Sequence, residues 1–219
     1  MIDDGKGLSG IYNLIISPDG TLRSDGGNVR SRRTGFFESA LSLFLLHKLP
    51  FARFNFPRWQ AWAALIFIGL LVGLDPSMRA GTPEMPGMPL PVALAFNVAL
   101  ILLCFPLIVL FLKWWMKRGG RWDGEGDLFN LVAASWLVAD GLGAGLVALG
   151  VPPLFTLPLW LYAVWVGGNA LSGAIPKASL GYSIAGIVLS LIPAMLAIAV
   201  IGGVFGMLMA MTGLIPTAP

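Results

Sequence analysis

The sequence is poor in the residues from which most catalytic and metal sites are built: 219 residues contain 1 cysteine, 1 histidine and 11% charged side chains. A lone Cys104 excludes an internal disulfide and a cysteine-ligated metal cluster. A lone His47 excludes haem, chlorophyll or zinc sites assembled from several histidines of this chain. Neither a Walker loop, a Ser/His/Asp arrangement nor a pair of acids inside one apolar block is present, so no cofactor and no catalytic activity are expected. Charge is about half that of an average soluble domain, and no nucleic-acid partner is expected. The first 34 residues carry Asp3, Asp4, Lys6, Asp19, Arg23 and Asp25 without an apolar core of signal length, so no cleavable secretory signal is expected.

What the chain does have is apolar residues in long blocks, 57% of the total. A helix needs about 20 residues to cross a bilayer core of roughly 30 Å. The blocks predict an all-α integral membrane protein with five transmembrane helices at about 58–75, 91–113, 127–150, 152–173 and 180–211, together a domain over 58–215. The last block contains Pro193 and Gly202-Gly203 and reads either as one long helix or as two short ones. Residues 1–35 read as a polar cytoplasmic segment. Residues 36–57, "FFESALSLFLLHKLPFARFNFP", read as an interfacial amphipathic helix up to Leu49, too short to span, followed by an extended Phe-Arg-Phe linker whose rings enter the headgroup region. His47 belongs to that helix and reads as a solvated side chain beside the membrane.

Lys and Arg concentrate in cytoplasmic loops of membrane proteins. Of the 14 here, all but Arg79 fall before the first block, between the second and third, or between the fourth and fifth. This predicts the N-terminus inside and the C-terminus outside. Arg30, Arg32, Arg33, Arg53 and Arg58 are expected to meet anionic lipid or a partner at the inner surface. Trp59, Trp62, Trp114, Trp115 and Trp122 fall at the same boundary, where amphipathic rings prefer to lie. Trp136 and Trp160 fall deeper and call for another explanation.

The stretch "WLVADGLGAGLVALG", residues 136–150, places Asp140 beside Gly141, Gly143 and Gly145. A dinucleotide fingerprint needs a different glycine spacing on a strand-to-helix turn, so that reading fails. At 100° per residue, Ala133, Ala134, Leu137, Gly141, Ala144, Gly145 and Ala148 share one arc, opposite Leu131, Val138, Leu142, Leu146 and Leu149. Gly141, Ala144, Gly145 and Ala148 are therefore candidate helix-packing residues, because small side chains let membrane helices approach closely. Asp140, at the edge of that arc, is the candidate intramembrane polar site. A central Asp costs about 2.5–3.5 kcal/mol on the insertion scale, which the rest of the block offsets. It is expected to be a neutral structural acid hydrogen-bonded to a group such as Ser190 or Tyr162, an ion or proton site, or a contact to a partner subunit. Asn97, Asn130 and Asn169 read as amides that bridge helices.

The segments "KWWMKRGGRWDGEGDLFNLVAASWL" and "PLFTLPLWLYAVWVGGNALSGAIPKASLGYSIAGIVLSLIPAMLAIAV" resemble the Yip (Ypt-interacting protein) domain family over roughly residues 40–210. The features shared are Gly119-Gly120 after a basic turn, a Trp-rich fourth span with Trp160 and Trp165, a small-residue turn leading to Lys177, and a long fifth span. The resemblance implies a five-span helical membrane domain with a cytoplasmic N-terminus. Eukaryotic relatives are adaptors for small GTPases, bacterial relatives inner-membrane proteins, and the family supplies no catalytic residues. The expectation is a non-catalytic scaffold, adaptor or accessory subunit of the bacterial cytoplasmic (inner) membrane, with lipids and other integral subunits, or a second copy of itself, as partners. The alternative is a small transporter or channel with Asp140 as its midplane proton or cation site.

Overall fold

Proline, glycine and acidic residues at the borders of the apolar blocks set where helices begin and end. The carboxylate Oδ1 of Asp127 accepts the backbone N–H of Asn130 at 3.2 Å, pairing one of the amides that a first helical turn leaves free. At the far end of that helix, Gly150 adopts a φ of 92°. The N–H groups of Gly150 and Val151 thereby fold back onto the carbonyls of Val147 and Leu146, a closure suited to a residue without Cβ. Gly120, with φ 62°, closes the preceding long helix in the same way.

The computed structural model describes residues 35–80 and 87–211. Among them are α1 Phe36–Phe44, a 3-10 turn Phe51–Phe54, α2 Arg58–Gly73, α3 Pro76–Ala80, α4 Leu90–Arg118, α5 Leu128–Ala148, α6 Pro153–Ala174 and α7 Leu180–Met211, with no strand. The fold is all-helical, as expected. Helices α4 to α7 are long and apolar enough to cross a membrane, which identifies an integral membrane protein. Helix α2 has 16 residues, about 24 Å at 1.5 Å per residue, and is shorter than a usual span. Helix α7 runs unbroken for 32 residues through Pro193 and both glycines, so the last block is one long helix and not two. Pro193 withholds one N–H from the ladder.

Helices α2, α4, α7, α6 and α5 pack in that order around a closed ring, and α1 lies across α5 and α6. Glycines set the close approaches. A Cβ on Gly69 would lie 2.8 Å from the Val98 Cα, and one on Gly73 2.8 Å from the Leu94 Cα, so α2 and α4 touch backbone to backbone. Gly168 seats Ile184 of α7 against α6, and Gly186 seats the Trp115 ring of α4 against α7. Between α4 and α7, the Tyr182 hydroxyl donates to the Trp115 carbonyl at 2.8 Å while the two rings stack.

The ring is tightest at the end that carries Lys117, Arg118, Arg121 and Lys177, called here the basic end. There α5 is buried continuously from Asn130 to Ser135. Leu131, expected on the lipid side, is fully buried; α1, α2 and α6 all pack against α5. Leu142, Leu146 and Leu149, farther along, are exposed as expected.

The N-terminal region departs most from expectation. Its helix ends at Phe44 instead of Leu49, where Leu46 takes a φ of 61° and the N–H groups of Leu46 and His47 return to the carbonyls of Leu43 and Ser42. Phe36, Ser39, Ala40 and Leu43 are buried against the bundle, while Phe37, Leu41 and Leu45 are exposed. The Phe-Arg-Phe linker is a 3-10 turn and not extended chain, and Phe54 is fully buried. The reason is Asn130, whose side-chain amide donates to the carbonyls of Phe54 at 3.0 Å and Phe56 at 2.8 Å.

Candidate functional site

Five helices around a ring leave a gap at the centre, and the side chains here do not fill it. A cavity of about 390 Å³ is lined by all five ring helices. Leu65, Ile68 and Val72 come from α2; Ile101, Cys104, Phe105 and Ile108 from α4; Trp136, Asp140, Gly143 and Ala144 from α5; Thr156, Trp160 and Ala163 from α6; Ile187, Leu191, Ala194, Met195 and Ile198 from α7. Toward the basic end an aromatic cluster stands beside it: Phe105 packs edge-on to Trp136 and to Phe129, with centroids 5.4 and 5.1 Å apart, and Phe129 meets Trp62 at 4.8 Å. This is the role of the deep Trp136. Trp160, the other deep tryptophan, lines the cavity where it is itself exposed.

Asp140 is the one carboxylate among the described lining residues, and no Lys, Arg or His lines the cavity with it. The two hydrogen-bond partners expected for it are engaged elsewhere. Ser190 Oγ donates to the Ile187 carbonyl of its own helix at 2.6 Å. The Tyr162 hydroxyl donates to the Phe44 carbonyl. Both satisfy backbone acceptors, and no hydrogen bond or ion pair joins Asp140 to another described residue. Thr156, the nearest thing to a second polar group on the wall, donates to the Pro153 carbonyl at 2.8 Å.

The glycines beside Asp140 do not pack as the helical wheel suggests. A Cβ at Gly141 or Gly145 would meet nothing within 4 Å, and one at Gly143 would meet only the tip of Leu159 at 3.8 Å. Ala144 faces the cavity and Ala148 is half-buried near the helix end. The small arc does work at the basic half, where Ala133 and Ala134 are buried. The ring helices separate along their length, so the same face that is packed at one end borders open space at the other.

The three bridging amides are placed differently from one another. Asn130 and Asn169 reach chain outside the ring, Asn169 donating to the Leu46 carbonyl at 2.9 Å. Asn97 donates to Ala93 of its own helix at 2.8 Å. His47 is exposed. Among the described residues no three His, Cys, Asp or Glu side chains come together as a metal site would require.

At the basic end a second, polar cleft of about 840 Å³ lies between the 3-10 turn, the loop after α4 and the loop after α6. Phe51 stacks on Trp122 at 6.2 Å, and the indole of Trp122 donates to the Glu125 carbonyl at 2.6 Å. Arg121 lies over the Tyr182 ring and donates to the Lys177 carbonyl at 3.2 Å. Arg53 is exposed, as a surface contact requires. Arg58 is also exposed but pairs through Nε with Asp127 Oδ2 at 3.0 Å, a surface pair worth about 0–1 kcal/mol. Arg30, Arg32 and Arg33 lie outside the described residues, as does the segment 1–34.

The cavity was not legible as a whole, but its α5 wall carried a signal. Trp136, Asp140, Gly143 and Val147 recur at intervals of three and four, one helical stripe. No protein-family model matches the chain, and no curated protein or solved structure is similar enough to count as a match.

Proposed function

We propose that this protein is a non-catalytic scaffold or accessory subunit of a larger membrane assembly, crossing the membrane five times with its N-terminus inside. A bacterial cytoplasmic membrane and membership of the Yip domain family belong to the same proposal; the family rests on the two quoted segments alone. The observation that carries the reading is the folded plate at the basic end. There α1, the 3-10 turn and the loop after α4 are tied to the ring by Asn130, Tyr162, Asn169 and the Phe51–Trp122 stack. Polar side chains in this plate hold the chain's own backbone, leaving exposed cations and an open cleft as a surface for a subunit or for anionic lipid. Positive charge at this end supports the cytoplasmic assignment.

Native mass analysis after gentle detergent extraction tests the proposal. The expected result is a stable complex with another integral membrane protein or with further copies of this chain. A monomer that moves protons or ions in liposomes would establish the second reading, a small transporter working through Asp140. The unpaired carboxyl in the central cavity favours that reading; the aromatic cluster beside it and the lack of a second ionisable group on the described wall oppose it.

A further inference from the structure

Three of the side chains that line the central cavity, Trp160, Met195 and Ile198, are also exposed on the outside of the bundle. The mouth of the cavity therefore lies between α6 and α7. It sits on the halves of those helices remote from the basic end, since nearer that end Gly167 and Gly168 hold Ile187 and Ile184 against α6. Neighbouring outward residues such as Leu161, Leu196 and Val200 are exposed too, so in a bilayer this mouth opens into hydrocarbon and not into water. Anything that enters must be mostly apolar. At about 390 Å³ the space is within the roughly 300–1,000 Å³ of small-molecule sites.

Asp140 lines the same cavity from α5 without a described hydrogen-bond or ionic partner. A carboxyl group among apolar walls is costly until something offers it a complementary donor. We propose that the central cavity binds a hydrophobic amine taken from the bilayer, its chain against Ile68, Leu191 and Ala194 and its amino group on the Asp140 carboxyl. Amine and acid share one proton, so the pair carries no net charge whichever atom holds it, and no further counter-ion is needed. A fatty acid would bring two acids together; an alcohol would give a neutral hydrogen bond only. The inference depends on membrane insertion but not on the scaffold reading, and its test uses the purified chain without partners.

The protein in phosphatidylcholine nanodiscs is titrated with ω-bromoundecylamine, whose bromine quenches nearby tryptophan; Trp136 and Trp160 both line the cavity. Affinities are referred to probe concentration in the bilayer. Saturable quenching is expected, about tenfold tighter than for ω-bromoundecanol because the shared proton can pass to the amine and make an ion pair, which the alcohol cannot, and no saturable quenching by ω-bromoundecanoate. Asp140→Asn is expected to bring the amine down to the affinity of the alcohol. Gly143→Leu keeps the carboxyl, has room for its Cβ and adds its side chain to the cavity wall, so it is expected to remove saturable quenching by both. Equal affinity for amine and alcohol in the wild-type protein, an undiminished amine preference in Asp140→Asn, or saturable quenching that survives Gly143→Leu would each overturn the proposal. Should Asp140→Asn not fold, the wild-type amine-to-alcohol ratio and Gly143→Leu decide the matter.

Discussion

Two glycines on neighbouring ring helices have opposite surroundings and should answer the same substitution in opposite ways. At Gly69 an added methyl would press on the Val98 backbone at 2.8 Å, and backbone cannot rotate aside, so α2 must move off α4. Gly69→Ala is expected to lower stability by about 1–3 kcal/mol, read as a fall in the melting temperature of the detergent-solubilised protein. At Gly141 the same methyl meets open space; Gly141→Ala should change stability by less than about 0.5 kcal/mol or raise it slightly, alanine being the better helix former. Equal losses at the two positions would contradict the packing described. The sequence pointed at the wrong glycines for a physical reason. A helical wheel ranks faces of one isolated helix, whereas closeness depends on where two axes converge, and α2 with α4 converge at Gly69 and Gly73 while no neighbour comes within 4 Å of a Cβ at Gly141. The wheel did find Asp140, because an acid in an apolar run is conspicuous without any partner.

At the scale of elements, the positions of the long helices were legible and the attachment of α1 was not. Long apolar runs with Gly150, Pro152 and Asp127 at their borders declare helix ends through local chemistry alone. Helix α1 depends instead on two side chains of α6, Tyr162 on the Phe44 carbonyl and Asn169 on the Leu46 carbonyl. These lie seven residues apart, two helical turns on one face, so their pairing was visible; their acceptors, being backbone, carried no mark in the sequence. Removing both donors leaves the ring intact but cuts the tether. The double variant Tyr162→Phe, Asn169→Ala is expected to lose about 1–3 kcal/mol, and amide hydrogen exchange should accelerate across Phe36–Phe44 with little change in α4. Uniform acceleration over every helix would mean that α1 is not a separable element.

For the whole molecule, the decisive quantity is which way the basic end faces. Ser77, just beyond α2, and Ser179, just before α7, are both exposed and lie toward opposite ends of the ring. In a Cys104→Ala background, a membrane-impermeant maleimide added to intact cells should label Ser77→Cys and spare Ser179→Cys. The reverse pattern would invert the orientation, and protection of both would show that one of α4, α5 and α6 does not cross. The ring order also has a bearing on biosynthesis. The contacts that fix α1 join residues 118 and 123 positions apart. At about 5–20 residues per second of synthesis, α1 leaves the ribosome roughly 6–25 s before its anchor on α6 exists. Throughout that interval Phe36, Ala40 and Leu43 have no groove to enter, so the nascent chain presents an apolar segment that a chaperone or the membrane surface must hold until α6 has been inserted.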